Sequence, residues 1–398
     1  MTTRPLYIKD FGFRCILGSR SDVLFDKLKN GIRGNMELQD FAGSMKYAAT
    51  IPANSLAPIN NPIFDNRVNR LTKAALDTMD SSIREAIQHY GASRIGIFLG
   101  SCDNGSEASL EALKVFQDSG TFPQGYKLDY QRADFPAQYI AKRYGITGIM
   151  QVHSTACASS ASAFVSARNN IYAGVCDAAI VGGVDIASLP VVLGFASLEA
   201  MSDMPTNPFS KNRSGLTLGD AAAYFLVTRD QVTELSVEGL GESADADHIT
   251  APRADGLGAV QTMKAALQDA NMDAGDVCYI NLHGTGTRLN DAMESRAVNA
   301  LFGPNTPASS TKALTGHTLG AAGALEAAFC CLALSNDEGF MPAHLFDGVV
   351  DDELPEVRLV KPLEKMKNNS KGERIAISNS FAFGGCNVSL VIRSSKKF

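Results

Sequence analysis

Short apolar runs rich in Ile, Val and Ala recur along this chain, and helical patterns separate many of them. The runs are Ile95–Leu99, Ile149–His153, Ala178–Val181, Ala223–Val227, Val277–Leu282, Ile375–Ser378 and Val388–Ile392. Continuous apolar runs this short fit strands buried on both faces. Helical periodicity marks Arg70–His89, Ser106–Gln117, Ala158–Tyr172, Gly258–Ala270 and Leu319–Leu334. Strands alternating with helices predict an α/β fold with mixed or parallel sheets. Two segments, 219–229 and 384–393, each finish on a strand-like run. A weak internal echo accompanies them: Ser154-Thr155 and Ser310-Thr311 each lead into a small-residue helix. The stretch Leu235–Asp247 has no strong period and is the expected seam between halves. The Lys/Asn-rich stretch Lys361–Lys371 reads as a solvated loop.

Composition narrows the function classes. The 398 residues are 45% hydrophobic and 20% charged, enough to bury a large core. The formal net charge is −6 with no basic block, which argues against nucleic acid as a partner. No apolar run approaches the roughly 18 residues of a membrane helix. Met1–Cys15 lacks the apolar core of a secretory signal, so a cytoplasmic protein is expected. The eight cysteines form no C-x-x-C pair, so neither a disulfide scaffold nor a structural zinc site is expected.

A few residues carry chemistry. Cys157, in HSTACASSASAF, sits where a strand gives way to a helix rich in Ala and Ser. A helix N-terminus presents unpaired N–H groups and partial positive charge, which predicts a lowered thiol pKa. His283, in YINLHGTGT, ends a strand-like run and precedes turn-forming glycines. His317 precedes LGAAGA, a stretch with almost no side-chain bulk that must pack tightly or border a ligand channel. Lys312 lies in the same apolar stretch and needs a partner, for which Glu294 is the candidate. Phe381 and Phe383, in NSFAFGGCN, place two rings beside a glycine hinge, suited to a gate or to plain core packing. Each residue taken singly also has a purely structural reading. One Cys and two His on turns or helix starts make a plausible nucleophile and acid/base set. No G-x-S-x-G, Walker or dinucleotide-binding fingerprint is present, and no His pair has the i, i+4 spacing of a metal hydrolase.

Taken in order, these segments resemble the β-ketoacyl-carrier-protein synthases of fatty-acid and polyketide systems. The resemblance rests on TACASS around Cys157, GGVD at 182–185 and NPFSKNRSGLTLGDAAA at 207–223. It continues through ADADHITAPRADGLGAV at 244–260, HGTGT at 283–287, NDAMES at 290–295, STKALTGHTLGAAGALEA at 310–327 and NSFAFGGCN at 379–387. It implies a thiolase fold: two similar halves, 1–240 and 241–398, in αβαβα layers with mixed five-stranded sheets. It implies that Cys157 carries the acyl group while His283 and His317 polarise a malonyl thioester carbonyl and support loss of CO2. The Cys157 and Phe383 N–H groups would form an oxyanion hole, and Lys312 and Glu294 would hold the histidines. Thr285 and Thr287 would bind a phosphopantetheine arm, with Thr250 near its phosphate, and Phe381 and Phe383 would gate the pocket. No metal and no redox cofactor is implied, since both reactants arrive as thioesters on an acyl carrier protein. The implied assembly is a homodimer, or a heterodimer with a chain-length-factor paralogue.

The chain departs from the family pattern at Ser214, where Asp is common, and at Arg288 and Asn290, where Pro and Gly are usual. Asp103 stands where the acyl pocket is lined. A carboxylate there suits a saturated chain poorly, because burying it unpaired is costly, and a specialised polyketide, polyene or aryl-primed substrate is expected. Arg67, Arg70 and Lys73 are candidates for a carrier-docking patch. A thiolase acting on CoA esters is the alternative enzyme, with Cys386 as its second cysteine, but the two His signatures argue against it. A non-catalytic chain-length factor is the other alternative, disfavoured by the presence of Cys157.

Overall fold

The computed structural model describes residues 4–103 and 105–396; the first three residues of the N-terminal stretch lie outside these. The apolar runs become strands of one ten-stranded mixed sheet. The same set of pairings occurs in it twice. In the first half, Ile95–Gly100 is parallel to Met150–His153 on one side and to Ala178–Asp185 on the other. Ala178–Asp185 is antiparallel to Ala221–Thr228, which is antiparallel to Leu6–Cys15. In the second half, Tyr279–Asn281 is parallel to Ala308–Ser309 and to Arg374–Phe381. Arg374–Phe381 is antiparallel to Cys386–Ser394, which is antiparallel to Leu235–Ala244. The two five-stranded halves meet through the pairs Leu6–Val237 and Tyr7–Ser236.

Three helical layers enclose these halves. The helices Ser159–Tyr172 and Ala322–Ser335 lie in the middle. Phe164, Ala167, Ala324 and Phe329 bury there against Phe13, Phe225, Val388 and Leu390. Outside the first half lie Arg67–Asp77, Asp80–Tyr90 and Phe135–Tyr144, packed through Leu71, Ile83 and Ile140 onto Ile95, Ile97 and Tyr224. Outside the second lie Leu257–Asp269 and Arg288–Phe302, whose Met263, Leu267 and Met293 cover Ile280, Ile375 and Ile377. This is the expected αβαβα arrangement.

Two expectations about elements need correction. The helix expected over Arg70–His89 is two helices, broken after Asp77. Thr78 Oγ1 donates back to the Ala75 carbonyl at 2.7 Å. The break packs on Gly12, where a Cβ would stand 2.2 Å from Thr78 Oγ1. The stretch Leu235–Asp247, expected as an unpatterned seam between halves, is a strand over most of its length, and its Ser236 and Val237 pair with the first half. Its Gly239 and Gly241 resemble strand breakers in sequence. They are there because a helix crosses closely: a Cβ would come within 2.1 Å of the Ala266 carbonyl oxygen at Gly239, and within 2.0 Å of the Thr262 oxygen at Gly241.

Both central helices are entered through a one-turn 3-10 segment, Ala156–Ala158 and Leu319–Ala321. The first residue of each turn is left-handed, with φ of 48° at Ala156 and 55° at Leu319. For non-glycine residues this costs about 1–3 kcal/mol, and such strain concentrates at functional sites. The echo between the Ser154-Thr155 and Ser310-Thr311 segments is partial: the first runs straight into its turn, whereas the second leads into a short helix, Lys312–Thr315, before the turn at Leu319.

Candidate active site

Cys157 follows the strained Ala156 and is 5% exposed. Burial pushes its thiol up to about 11. Lys312 and the backbone N–H groups of Phe383 and of Cys157 itself pull it down, while Asp185 adds to the rise. The expected lowering is therefore not met. A helix terminus contributes fractional charge, and removing a thiolate from water outweighs it.

His283 leaves the strand Tyr279–Asn281 on a loop that Glu294 fixes from the helix Arg288–Phe302. The Glu294 carboxylate accepts the backbone N–H groups of His283 and Gly284, both at 2.7 Å. Burial holds Glu294 up at about 7 despite those two bonds. The His283 ring lies 5.4 Å from the His317 ring, nearly perpendicular, and 6.2 Å from Phe381. Its buried Nδ1 has no hydrogen-bond partner.

His317 has a defined tautomer. Its Nδ1 accepts the Leu319 N–H at 3.0 Å, so in the neutral ring the proton sits on Nε2. Nε2 is buried without a partner and is a free donor. Burial holds both imidazoles well below the usual histidine range; the Lys312 charge acts in the same direction on both, and His317 adds to it for His283. Cys157 Sγ and one ring nitrogen from each histidine all lie within 4.8 Å of one another.

Lys312 is not paired with Glu294, as expected from sequence. Its Nζ meets Glu326 Oε1 at 2.5 Å, with side chains 1% and 3% exposed. Glu294 is committed to the backbone of the His283 loop, whereas Glu326 faces Lys312 from the central helix Ala322–Ser335. Sequence reasoning missed Glu326, although a lone carboxylate within GAAGALEAAFCCLAL was a usable signal. It also gave no role to Asp185. That side chain accepts from Ser101 Oγ and from the N–H groups of Cys102, Asp103 and Gly320, and so ties the two halves together beside Cys157.

A cavity of about 360 Å³ opens over the cluster. Thr285, Thr287 and Thr250 line it together with Phe381, Phe383, Arg288 and Asn290. Thr285 and Thr287 share a hydroxyl hydrogen bond of 2.9 Å. Phe383, flanked by Gly384 and Gly385 at positive φ, stacks on Phe195 at 5.7 Å. Asp103 is not on this wall. It is 4% exposed, with one oxygen bonded to Ser106 and the other buried without a partner. Burial pushes its carboxyl above the usual range. The proposed basic patch is also corrected. Arg67 is bound to Asp220 and Glu107, Arg70 to Asp65 and Lys73 to Asp77, so carboxylates offset all three charges.

Comparison with known proteins agrees with this geometry. The family described as "Beta-ketoacyl synthase, N-terminal domain" matches residues 47–232, and "Beta-ketoacyl synthase, C-terminal domain" matches 235–345. A 3-oxoacyl-[acyl-carrier-protein] synthase 2 of Staphylococcus aureus is 31% identical over 82% of each chain. A putative mitochondrial 3-oxoacyl-[acyl-carrier-protein] synthase of Schizosaccharomyces pombe is 34% identical over 65% of each. Among solved structures, the ketosynthase ApeO of Xenorhabdus doucetiae, in complex with its chain length factor ApeC, superposes with a TM-score of 0.89. It is 36% identical over 98% of each chain. The strand order, the Cys–His–His cluster and these matches agree: this chain belongs to the β-ketoacyl-acyl-carrier-protein synthase family, acyltransferases of the thiolase fold.

Proposed function

We propose that Cys157 accepts an acyl group from a carrier-protein thioester and that His283 and His317 then drive condensation with a malonyl carrier. The observation that carries this reading is the mutual approach of one sulfur and two imidazole nitrogens beneath a single cavity. In the first half-reaction the sulfur attacks the acyl carbonyl, the carrier thiol leaves, and the Cys157 proton passes to it. The N–H groups of Cys157 and Phe383, which already act on the sulfur, receive the developing oxyanion.

In the second half-reaction malonyl thioester replaces the departed carrier. His317 donates its Nε2 hydrogen to the thioester oxygen, and His283 joins it. Loss of CO2 leaves an enolate whose carbon attacks acyl-Cys157. The new C–C bond forms, the C–S bond breaks, and the cysteine thiolate takes a proton. The 3-oxoacyl product stays on the carrier, whose phosphopantetheine arm would run past Thr285, Thr287 and Thr250. Lys312 and Glu326 set the field around both rings, and Glu294 fixes the loop of His283. Phe381 and Phe383 would gate entry.

The finer assignments follow the same reading. The halves 1–240 and 241–398 act as one unit, with the nucleophile on one and both histidines on the other. The primer is a specialised polyketide-type or aryl chain; Asp103, buried and off the wall of the cavity over Cys157, is not the group that meets it there. The partner is a second subunit of the same fold, a copy or a chain-length-factor paralogue. The edge strand Met150–His153 and the exposed Leu113, Val115, Phe116 and Phe122 support such a partner. Eight unpaired thiols support a reducing, cytoplasmic setting, and no helix among the described residues is long and apolar enough to cross a membrane.

Mass spectrometry of the protein after incubation with a panel of acyl carriers tests the reading. An acyl adduct on Cys157, cleared by malonyl carrier with formation of 3-oxoacyl carrier, is expected. An adduct elsewhere, or one that malonyl carrier does not discharge, would overturn it.

A further inference from the structure

His344 belongs to no segment that carried the family resemblance, yet it is fully engaged behind the active site. It is 5% exposed, on the strap that follows the helix Ala322–Ser335. Its Nδ1 accepts the Ser310 N–H at 3.1 Å, and its Nε2 lies 3.0 Å from the Pro208 carbonyl oxygen. A carbonyl only accepts, so Nε2 carries the proton and Nδ1 the lone pair. Neutral imidazole is the one form that satisfies both contacts.

Ser310 carries this bond to the catalytic loops. Its Oγ donates to the Gly284 carbonyl at 2.6 Å and accepts the Lys312 N–H at 3.3 Å. Gly284 directly follows His283, and its N–H is already held by Glu294. The loop of His283 is therefore clamped on its N–H side by Glu294 and on its C=O side by Ser310. Pro208 brings in a second contact through Phe209, whose ring lies 5.8 Å from His344. A Cβ on Gly284 would stand 2.8 Å from the Phe209 ring and 2.5 Å from Ser310 Cβ, so the loop has no slack on that side.

We propose that His344 is a positioning residue for the condensation step, holding Ser310 so that the His283 loop and the start of the short helix Lys312–Thr315 keep their register. It touches no reacting atom and acts through the segments it holds in place. The proposal rests on the ketosynthase reading given above. Misplacing a reacting group by about 1 Å can cost about a hundredfold in rate, so the effect belongs in condensation turnover. Acylation of Cys157 uses N–H groups on other segments and is spared.

Three substitutions separate the contacts. His344→Asn keeps an acceptor where Nδ1 stands, His344→Gln keeps a donor where Nε2 stands, and His344→Leu keeps neither. The parent enzyme provides the control: if it does not condense, the reading of function fails and not this inference. With an active parent, His344→Leu is expected to lower condensation kcat about tenfold to a hundredfold, with Cys157 acylation, read by mass spectrometry, within about twofold. His344→Asn is expected to recover most of the loss and His344→Gln little. Ser310→Ala, which removes the Oγ bridge and leaves His344 intact, is expected to reproduce the defect, and the double variant to be no worse than the poorer single one. If His344→Leu does not fold, the Asn–Gln contrast and Ser310→Ala still decide. A folded His344→Leu with parental kcat would overturn the proposal. So would equal loss of acylation and condensation, or recovery by Gln and not by Asn.

Discussion

Lys312 Nζ and Glu326 Oε1 meet at 2.5 Å in a part of the protein almost closed to water. The pair spans the turn that carries His317, since Lys312 precedes that histidine and Glu326 follows it. Losing one partner of a buried pair leaves an uncompensated charge, at a cost of about 3–5 kcal/mol. Lys312→Met is therefore expected to lower unfolding free energy by that amount in urea titrations. Replacing both, Lys312→Met with Glu326→Leu, is expected to recover much of the stability without recovering turnover. Full recovery of turnover would show that the pair only fills space.

The Cys157 thiol, pushed up to about 11, sets its own reactivity. Alkylation by a small neutral reagent proceeds through the thiolate. Its rate on the unliganded protein is expected to rise about tenfold per pH unit between roughly pH 7 and 10, as the thiolate fraction does. Alkylation that is already pH-independent at neutrality would contradict a buried neutral thiol.

Acid stability depends on the two depressed imidazoles. Their folded-state pKa values lie well below 6.5, because burial and Lys312 disfavour the charged ring. Below pH 6.5 the unfolded chain binds protons that the folded one refuses, so stability present above that pH falls as the solution is acidified. Glu294 and Asp185, raised to about 7 by burial, act in the opposite sense: their contribution is lost as pH rises toward 7. The difference between parent and His317→Gln isolates one ring. The parent's slope of unfolding free energy below pH 6.5 is expected to be steeper by up to about 1.4 kcal/mol per pH unit. Parallel slopes would refute the assignment.

The helix crossing at Gly241 leaves no room for a methyl group, since a Cβ would sit 2.0 Å from the Thr262 oxygen. Backbone would have to move, and overpacking of this kind costs about 1–3 kcal/mol. Gly241→Ala is expected to lose that much in denaturant unfolding, whereas Gly145→Ala, with open space around it, is expected to lose only what its positive φ demands.

Much of the fold was legible from periodicity. The interior strands are continuous apolar runs, and small-residue stretches announced both central helices. The strand Leu235–Ala244 was not legible, because its glycines answer to the helix Leu257–Asp269 folded back across them and not to the strand's own pattern. Likewise, Thr78 ends a helix that its own periodicity would have carried onward.

The sequence by itself determined the chemistry available here: one cysteine at a strand–helix turn, two histidines beside glycines, and a lysine needing a carboxylate. Local pattern decides this, since turn residues and residue type act over a few positions. Only the tertiary structure decided which carboxylate meets Lys312, that Glu294 serves a backbone loop, and that burial raises the Cys157 thiol. Partner choice and desolvation depend on which turns, helices and strands the folded chain brings within a few ångströms, and residue type over a few positions does not encode that.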